Sequence, residues 1–192
     1  AELDFRSQYG LNVIAVTNEE TKRTDVSPDA EYRIVSGDEL IVVGKTDSRE
    51  VEALVEMYAK RVNHYCKFSI TTIADVRNTR NMAASRQKQL EGEAIMKLIG
   101  EGDYLVLMDE RGQQYTSMEY AQWLQKRMLS GVKRLALVIG GPYGFSEEVY
   151  ARANQKISLS KMTFSHQIVR AIFAEQLYRA FTILNNEPYH HE

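Results

Sequence analysis

From Asp38 onward, short continuous apolar runs alternate with stretches of helical periodicity, and no other feature limits the fold as strongly. Leu40-Ile-Val-Val43, Phe68-Ser-Ile-Thr-Thr-Ile73, Tyr104-Leu-Val-Leu-Met108 and Leu135-Ala-Leu-Val-Ile139 read as strands. Between the first two, Val51, Leu54, Val55, Tyr58 and Val62 recur at helical spacing behind Ser48, a plausible N-cap. Residues 82–99 fit a long helix, and residues 116–128 another, with Thr116 and Glu119 in the capping-box relation. Ser146 opens a short helix, Ile157-Ser-Leu159 is a brief strand or extended piece, and 165–184 is the last helix. A turn is expected at Asp109-Glu-Arg-Gly112 and a polar loop over Asn78–Asn81. Strands apolar on both faces need helices on both sides, so the expectation is α/β: a mostly parallel sheet flanked by helices.

The chain ahead of Asp38 reads differently. Leu11–Val16 and Tyr32–Val35 are strand-like and no long helix intervenes, so a small β-rich N-terminal appendage is expected, with a boundary near residue 44. Charge divides at the same place: residues 1–44 carry four Lys/Arg against nine Asp/Glu, net -5, and the remainder 20 against 17, net +3. A mildly basic body can meet a nucleic acid only where its charge is clustered, or where the substrate offers shape as well as phosphate. The single cysteine, Cys66, cannot form an internal bridge, which suits a reducing cytoplasm. Its place in Tyr65-Cys66-Lys67-Phe68 favours a small strand residue over a nucleophile. No apolar run approaches the ~18 residues of a membrane span, and no membrane partner is expected.

Four constellations could carry chemistry. Gly140-Gly-Pro-Tyr-Gly144 joins a buried strand to a helix, where glycines allow close backbone approach and a helix N-terminus offers free N–H groups. It is neither the dinucleotide fingerprint nor a P-loop, and taken alone it can be a simple turn. Ser158-Leu-Ser-Lys-Met-Thr-Phe-Ser-His166 surrounds an apolar pair with hydroxyls, or is an irregular loop ending in an N-cap at Thr163 or Ser165. On the last helix, Val169, Ile172, Phe173, Leu177, Ala180, Phe181 and Leu184 form the apolar stripe. His166 with Arg170, and Glu175 with Arg179, sit on the other side at i,i+4, a spacing that also makes ordinary helix-stabilising pairs. The tail Asn185–Glu192 gathers aromatic, imidazole and carboxylate groups where termini usually fray; its two adjacent histidines are not expected to hold a metal.

In this order the pieces resemble the RlmH family of SPOUT methyltransferases. The matching text is Gly44-Lys-Thr46, Gln89-Leu-Glu-Gly-Glu93, Leu107-Met-Asp-Glu110, Val138 to Ser146, Leu159 to His166, Glu175 to Ala180, and Glu187-Pro-Tyr-His190. The resemblance spans 38–192. It implies a SPOUT-type trefoil-knotted sheet, a homodimer with active sites at the subunit interface, and S-adenosyl-L-methionine as cofactor. It implies cofactor contacts at Met108, Gly140, Leu159, Ser160, Lys161, Met162, Thr163 and Phe164. The implied reaction moves a methyl group to N3 of a pseudouridine in large-subunit ribosomal RNA, free or in the assembled ribosome. That imide nitrogen must lose a proton, which calls for a base or a stabilising cation. His190 is the expected base, Tyr189 the group that positions or stacks on the nucleobase, Arg179 the electrostatic stabiliser and Glu175 its orienter.

Residues 1–44 are similar instead to the later part of an RCK C-terminal (TrkA-C) domain, through Phe5 to Val16, Pro28-Asp29 and Gly37 to Gly44. Such a fragment, sharing the strand Leu40–Gly44 with the methyltransferase domain, implies a hybrid chain, natural or engineered. No small ligand is expected on it. The alternative function is a hybrid scaffold or ligand-binding protein that folds as a SPOUT domain without methyl transfer.

Overall fold

The computed structural model describes Gly37–His190 together with two short strands, β1 (Val16–Thr17) and β2 (Thr24–Asp25), which pair antiparallel. Apart from Val16, the expected strands Leu11–Val16 and Tyr32–Val35 lie outside the described residues. The body runs β3 (Gly37–Val43), α1 (Arg49–Val62), β4 (Lys67–Ile73), α2 (Ala84–Met96), β5 (Asp103–Gln113), α3 (Ser117–Met128), β6 (Arg134–Ile139), α4 (Glu147–Arg152), β7 (Gln155–Ile157) and α5 (Ile168–Leu184). The five strands of the body form one sheet in the order β4-β3-β6-β5-β7, every pair parallel.

Side-chain alternation splits the apolar strands between two cores. Leu40, Val42, Val106, Leu135, Leu137 and Ile139 face one side, where α1, α3 and α5 cover them through residues such as Val62, Leu124 and Phe173. Ile41, Val43, Leu105, Leu107, Ala136 and Val138 face the other, under Ile95 of α2 and Val149 of α4. Local signals set the helix starts: Ser48 Oγ accepts from Val51 N at 3.3 Å, Thr116 and Glu119 close a capping box, and Ser146 caps α4.

Several expectations need correction. β5 leaves β6 after Met108, and its register with β7 shifts between Met108 and Gln113, both of which pair with Ile157, so Asp109–Gly112 bulge out between them where the turn was expected. Ser158 N donates to Gln113 O at 2.9 Å there. A Cβ on Gly112 would lie 2.5 Å from the Ile157 backbone, so a glycine is what allows the two segments to cross. Of the expected strand or extended piece Ile157–Leu159 only Ile157 belongs to a strand, β7, and α5 begins three residues later than the periodicity suggests. Cys66 precedes β4 rather than lying in it; burial pushes its thiol well above the ordinary range, contrary to a nucleophile's need.

Arg170 is not on the polar side of α5. Only 1 % exposed, it donates to Val43 O (2.6 Å), Gly44 O (3.0 Å), Thr46 Oγ1 (3.0 Å) and His166 O (3.0 Å). Carbonyls at the end of a buried strand require donors, and a guanidinium supplies several in one plane.

Candidate active site

The carboxyl ends of β5 and β6, at Met108 and Ile139, open into a cleft of about 460 Å³, within the ~300–1,000 Å³ usual for small-molecule sites. Two loops wall it, Gly140–Phe145 and Ser158–His166, with Val169 of α5 behind them. The glycine turn is packed from below: a Cβ on Gly141 would come within 2.6 Å of Glu91 Oε2, and one on Gly140 within 3.0 Å of the Phe145 ring. Its backbone therefore faces the cleft bare. The second loop is held by its own hydroxyls. Ser158 Oγ donates to Ser160 O at 2.8 Å, Ser160 Oγ accepts from Met162 N at 2.9 Å, and Ser165 Oγ accepts from Gln167 N at 3.2 Å. That leaves Met162 75 % exposed and Phe164 at the mouth.

On the third side stand Asp109, Glu110 and Arg111. Asp109 accepts from Tyr150 Oη at 2.5 Å and from Arg111 N at 2.8 Å. Burial, then the bond to Asp109, pushes the Tyr150 phenol up to about 12, so it stays a donor at neutral pH. Bare glycine backbone, apolar floor and carboxylates suit an uncharged base and ribose or a cationic group; a triphosphate would meet repulsion from Asp109 and Glu110.

Of the residues expected to hold the cofactor, Met108, Gly140, Leu159, Ser160, Met162, Thr163 and Phe164 all line this cleft, whereas Lys161 is exposed and does not. The structure also gathers the four expected catalytic residues, but elsewhere. Glu175 Oε1 accepts from Arg179 Nε (3.0 Å), Arg179 Nη2 (2.5 Å) and Tyr189 Oη (3.1 Å). The Arg179 guanidinium lies 4.8 Å from the centre of the Tyr189 ring, and its Nη1 is 3.4 Å from His190 Nδ1. The tail is pinned by Glu187, whose N–H donates to Thr182 O at 2.9 Å and whose Oε2 accepts from Tyr65 Oη at 2.7 Å. Its hydrogen bond to Glu175 raises the Arg179 pKa, and burial with the Tyr58 contact raises that of Tyr189. Within one chain, cleft and tail cluster are apart: ten residues of α5 from Val169 to Arg179 span about 15 Å.

Sequence reasoning missed Glu91, which is 4 % exposed, accepts from Gln87 Nε2 at 2.8 Å and supports the glycine turn. Its position inside Gln89–Glu93 was a signal, though nothing local tells a buried carboxylate from a solvated helix face. His166, which also lines the cleft, was legible as the end of its motif and as an i,i+4 partner of Arg170, not as a cleft residue.

Residues 38–190 match the family described as Predicted SPOUT methyltransferase. The Ribosomal RNA large subunit methyltransferase H of Christiangramia forsetii is 57% identical over 152 residues, covering 79% of this chain and 97% of that protein. The protein of the same name from Parabacteroides distasonis is 55% identical over 153 residues, 80% of this chain and 98% of that one. A solved structure of a probable methylase family protein from Haemophilus influenzae Rd KW20 aligns at a TM-score of 0.47 and 12% identity, over 82% of this chain and 71% of that one. The two sequence relatives are matched over nearly their whole length, and on that ground the chain belongs to the SPOUT methyltransferase family, alongside the large-subunit methyltransferase H proteins.

Proposed function

We propose that this protein methylates large-subunit ribosomal RNA with S-adenosyl-L-methionine, at N3 of a pseudouridine, and does so as a homodimer. The observation that carries the reading is the bare-backbone cleft at the ends of β5 and β6, walled by Ser158–His166. Methyltransferase H relatives of this chain are named for the large-subunit rRNA. S-adenosyl-L-methionine would supply an electrophilic methyl group on sulfur. Gly140, Leu159 and the loop Ser160–Phe164 would hold it, with Met108 against its apolar part.

The chain's own residues then have separable tasks. Tyr189 stays protonated and offers its ring to the nucleobase while Glu175 fixes its hydroxyl. Arg179 is held on Glu175 and presents positive charge to an imide nitrogen losing its proton. A guanidinium only donates, so His190 Nδ1 is the acceptor where the two face each other, and it is the atom that takes up the proton once substrate separates them. The 15 Å or so between cleft and tail cluster supports a second copy of the chain, whose tail would complete the cleft. The tight crossing of Ile157 over Gly112 supports the threaded, knotted path that the family resemblance implies. Residues 38–192 form the methyltransferase domain in this reading, and residues 1–44 a partial RCK-like segment that shares β3 with it. Because ribosomal RNA is the substrate in this reading, we infer a cytoplasmic setting, where ribosomes are. Among the described residues no helix is long and apolar enough to cross a membrane.

The test is transfer of labelled methyl groups to ribosomes, followed by nucleoside mass spectrometry. His190→Ala and Arg179→Ala should bind S-adenosyl-L-methionine as wild type does and lose turnover at least ~100-fold, the scale of a positioned acid–base group. Normal turnover in both, or methylation of another nucleoside, would overturn the assignment.

A further inference from the structure

We propose that Lys45, Arg77, Arg80, Arg86 and Lys88 form a phosphate-docking rim that seats an RNA strand across the mouth of the cofactor cleft. This rests on the RNA-methylating function argued above and adds where the backbone of that RNA is held. The three segments 45–47, 74–88 and 159–166 carry six Lys/Arg against two Asp/Glu, whereas the rest of residues 45–192 carries 14 against 15. The whole positive excess of the body is therefore gathered in these segments.

Topology places them together. β3 and β4 are adjacent and parallel, with Val43 opposite Ile73, so the chain leaves both at the sheet end where the cleft opens. Lys45 N donates to Asp75 Oδ2 at 3.2 Å and Gly44 N to Ile73 O at 2.8 Å, which ties the two loops to each other. Gln167 ties the first of them to the start of α5, its Nε2 donating to Lys45 O at 3.0 Å and its Oε1 accepting from Asp47 N at 3.1 Å. Glu91 of α2 touches Gly141, a cleft residue. Arg86 lies five residues earlier on that helix, about 7.5 Å along its axis, and Lys88 lies between the two. Lys88, three residues before Glu91, shares its side of α2, whereas Arg86 is on the outer face, where its Nη1 donates to Gln89 Oε1 at 2.9 Å; Lys161 is exposed on the second loop that walls the cleft.

These groups are also available. Lys45, Arg77, Arg80 and Arg86 are exposed, and Lys88 is half-buried. Among the described residues the ion pairs are Arg134 with Glu39 and Asp103, and Arg179 with Glu175; none takes a rim cation. Asn78, at φ 60 in the left-handed region, turns the loop between Arg77 and Arg80. Clustered cations without carboxylate partners fit a polyanion whose counterions they release.

Unmethylated 70S ribosomes and labelled S-adenosyl-L-methionine provide the test, using the full chain. The Arg77→Glu/Arg80→Glu and Arg86→Glu/Lys88→Glu pairs should each raise KM for ribosomes about tenfold or more. Expected alongside are a kcat within twofold of wild type and unchanged cofactor affinity, which also reports correct folding. The dependence of log KM on log salt should become shallower by about 0.7–0.9 for each phosphate that is no longer neutralised. Lys126→Glu/Lys133→Glu, at the other end of the sheet, serves as the control. Unchanged KM and salt slope in both rim pairs, or an equal effect from the control pair, would overturn the rim while leaving the function standing. A wild type that methylates no ribosomal particle sinks both.

Discussion

Asp38 offers a test of the packing that is independent of catalysis. It lies at the start of β3, 2 % exposed, 3.9 Å from Cys66 Sγ and beside Tyr120 and Arg127. Burial pushes its carboxyl up to about 7, against a smaller lowering by the Leu135 N–H that it accepts. An aspartate in the unfolded chain titrates near ~3.9. Because the folded value is the higher one, folding favours the protonated acid. The resulting stability is fully present below pH ~4 and is lost as pH rises through about 7. At about 1.4 kcal/mol per unit, the difference amounts to roughly 4 kcal/mol by pH 8. Asp38→Asn cannot ionise yet keeps an oxygen for Leu135 N–H, so it lacks this term alone. Urea unfolding of both proteins at one fixed protein concentration, from pH 4.5 to 8, should show the variant gaining on wild type by about 3–4 kcal/mol across the range. Effects of all other titrating groups cancel in the comparison. A stability difference that is flat with pH would show that Asp38 is ionised in the folded protein and that its burial is wrongly understood.

Gly112→Ala forces a methyl group into the Ile157 backbone; a loss of about 1–3 kcal/mol in urea unfolding and weaker cofactor binding are expected, because β7 leads directly into the cleft loop. Arg170→Met leaves Val43 O and Gly44 O without their donor and should cost about 3 kcal/mol. Arg170→Lys should recover little of it, since one ammonium cannot span those acceptors and Thr46 Oγ1 together; full recovery in unfolding measurements would refute the fork geometry.

Much of the fold was legible in the sequence because its signals are local. Apolar runs bounded by glycine and polar turns marked four strands, and Ser48, Thr116 with Glu119, and Ser146 marked helix starts through hydrogen bonds spanning three residues. The motifs around Gly140 and Ser158–His166 could be read for the same reason, since each is a short continuous piece of the cleft wall. Only the tertiary structure decided what depends on groups distant in sequence. Helical periodicity puts Arg170 on a polar face, yet strand-end carbonyls more than a hundred residues away draw it inside. Asp109–Gly112 has the composition of a turn, but only the folded chain sets that excursion against Ile157, which both Met108 and Gln113 face. Glu91 reads as a solvated helix carboxylate until the glycine turn is packed upon it. Propensity and periodicity act over a few residues, whereas burial of a charge or the path of a strand is settled by which partner the folded chain brings against it.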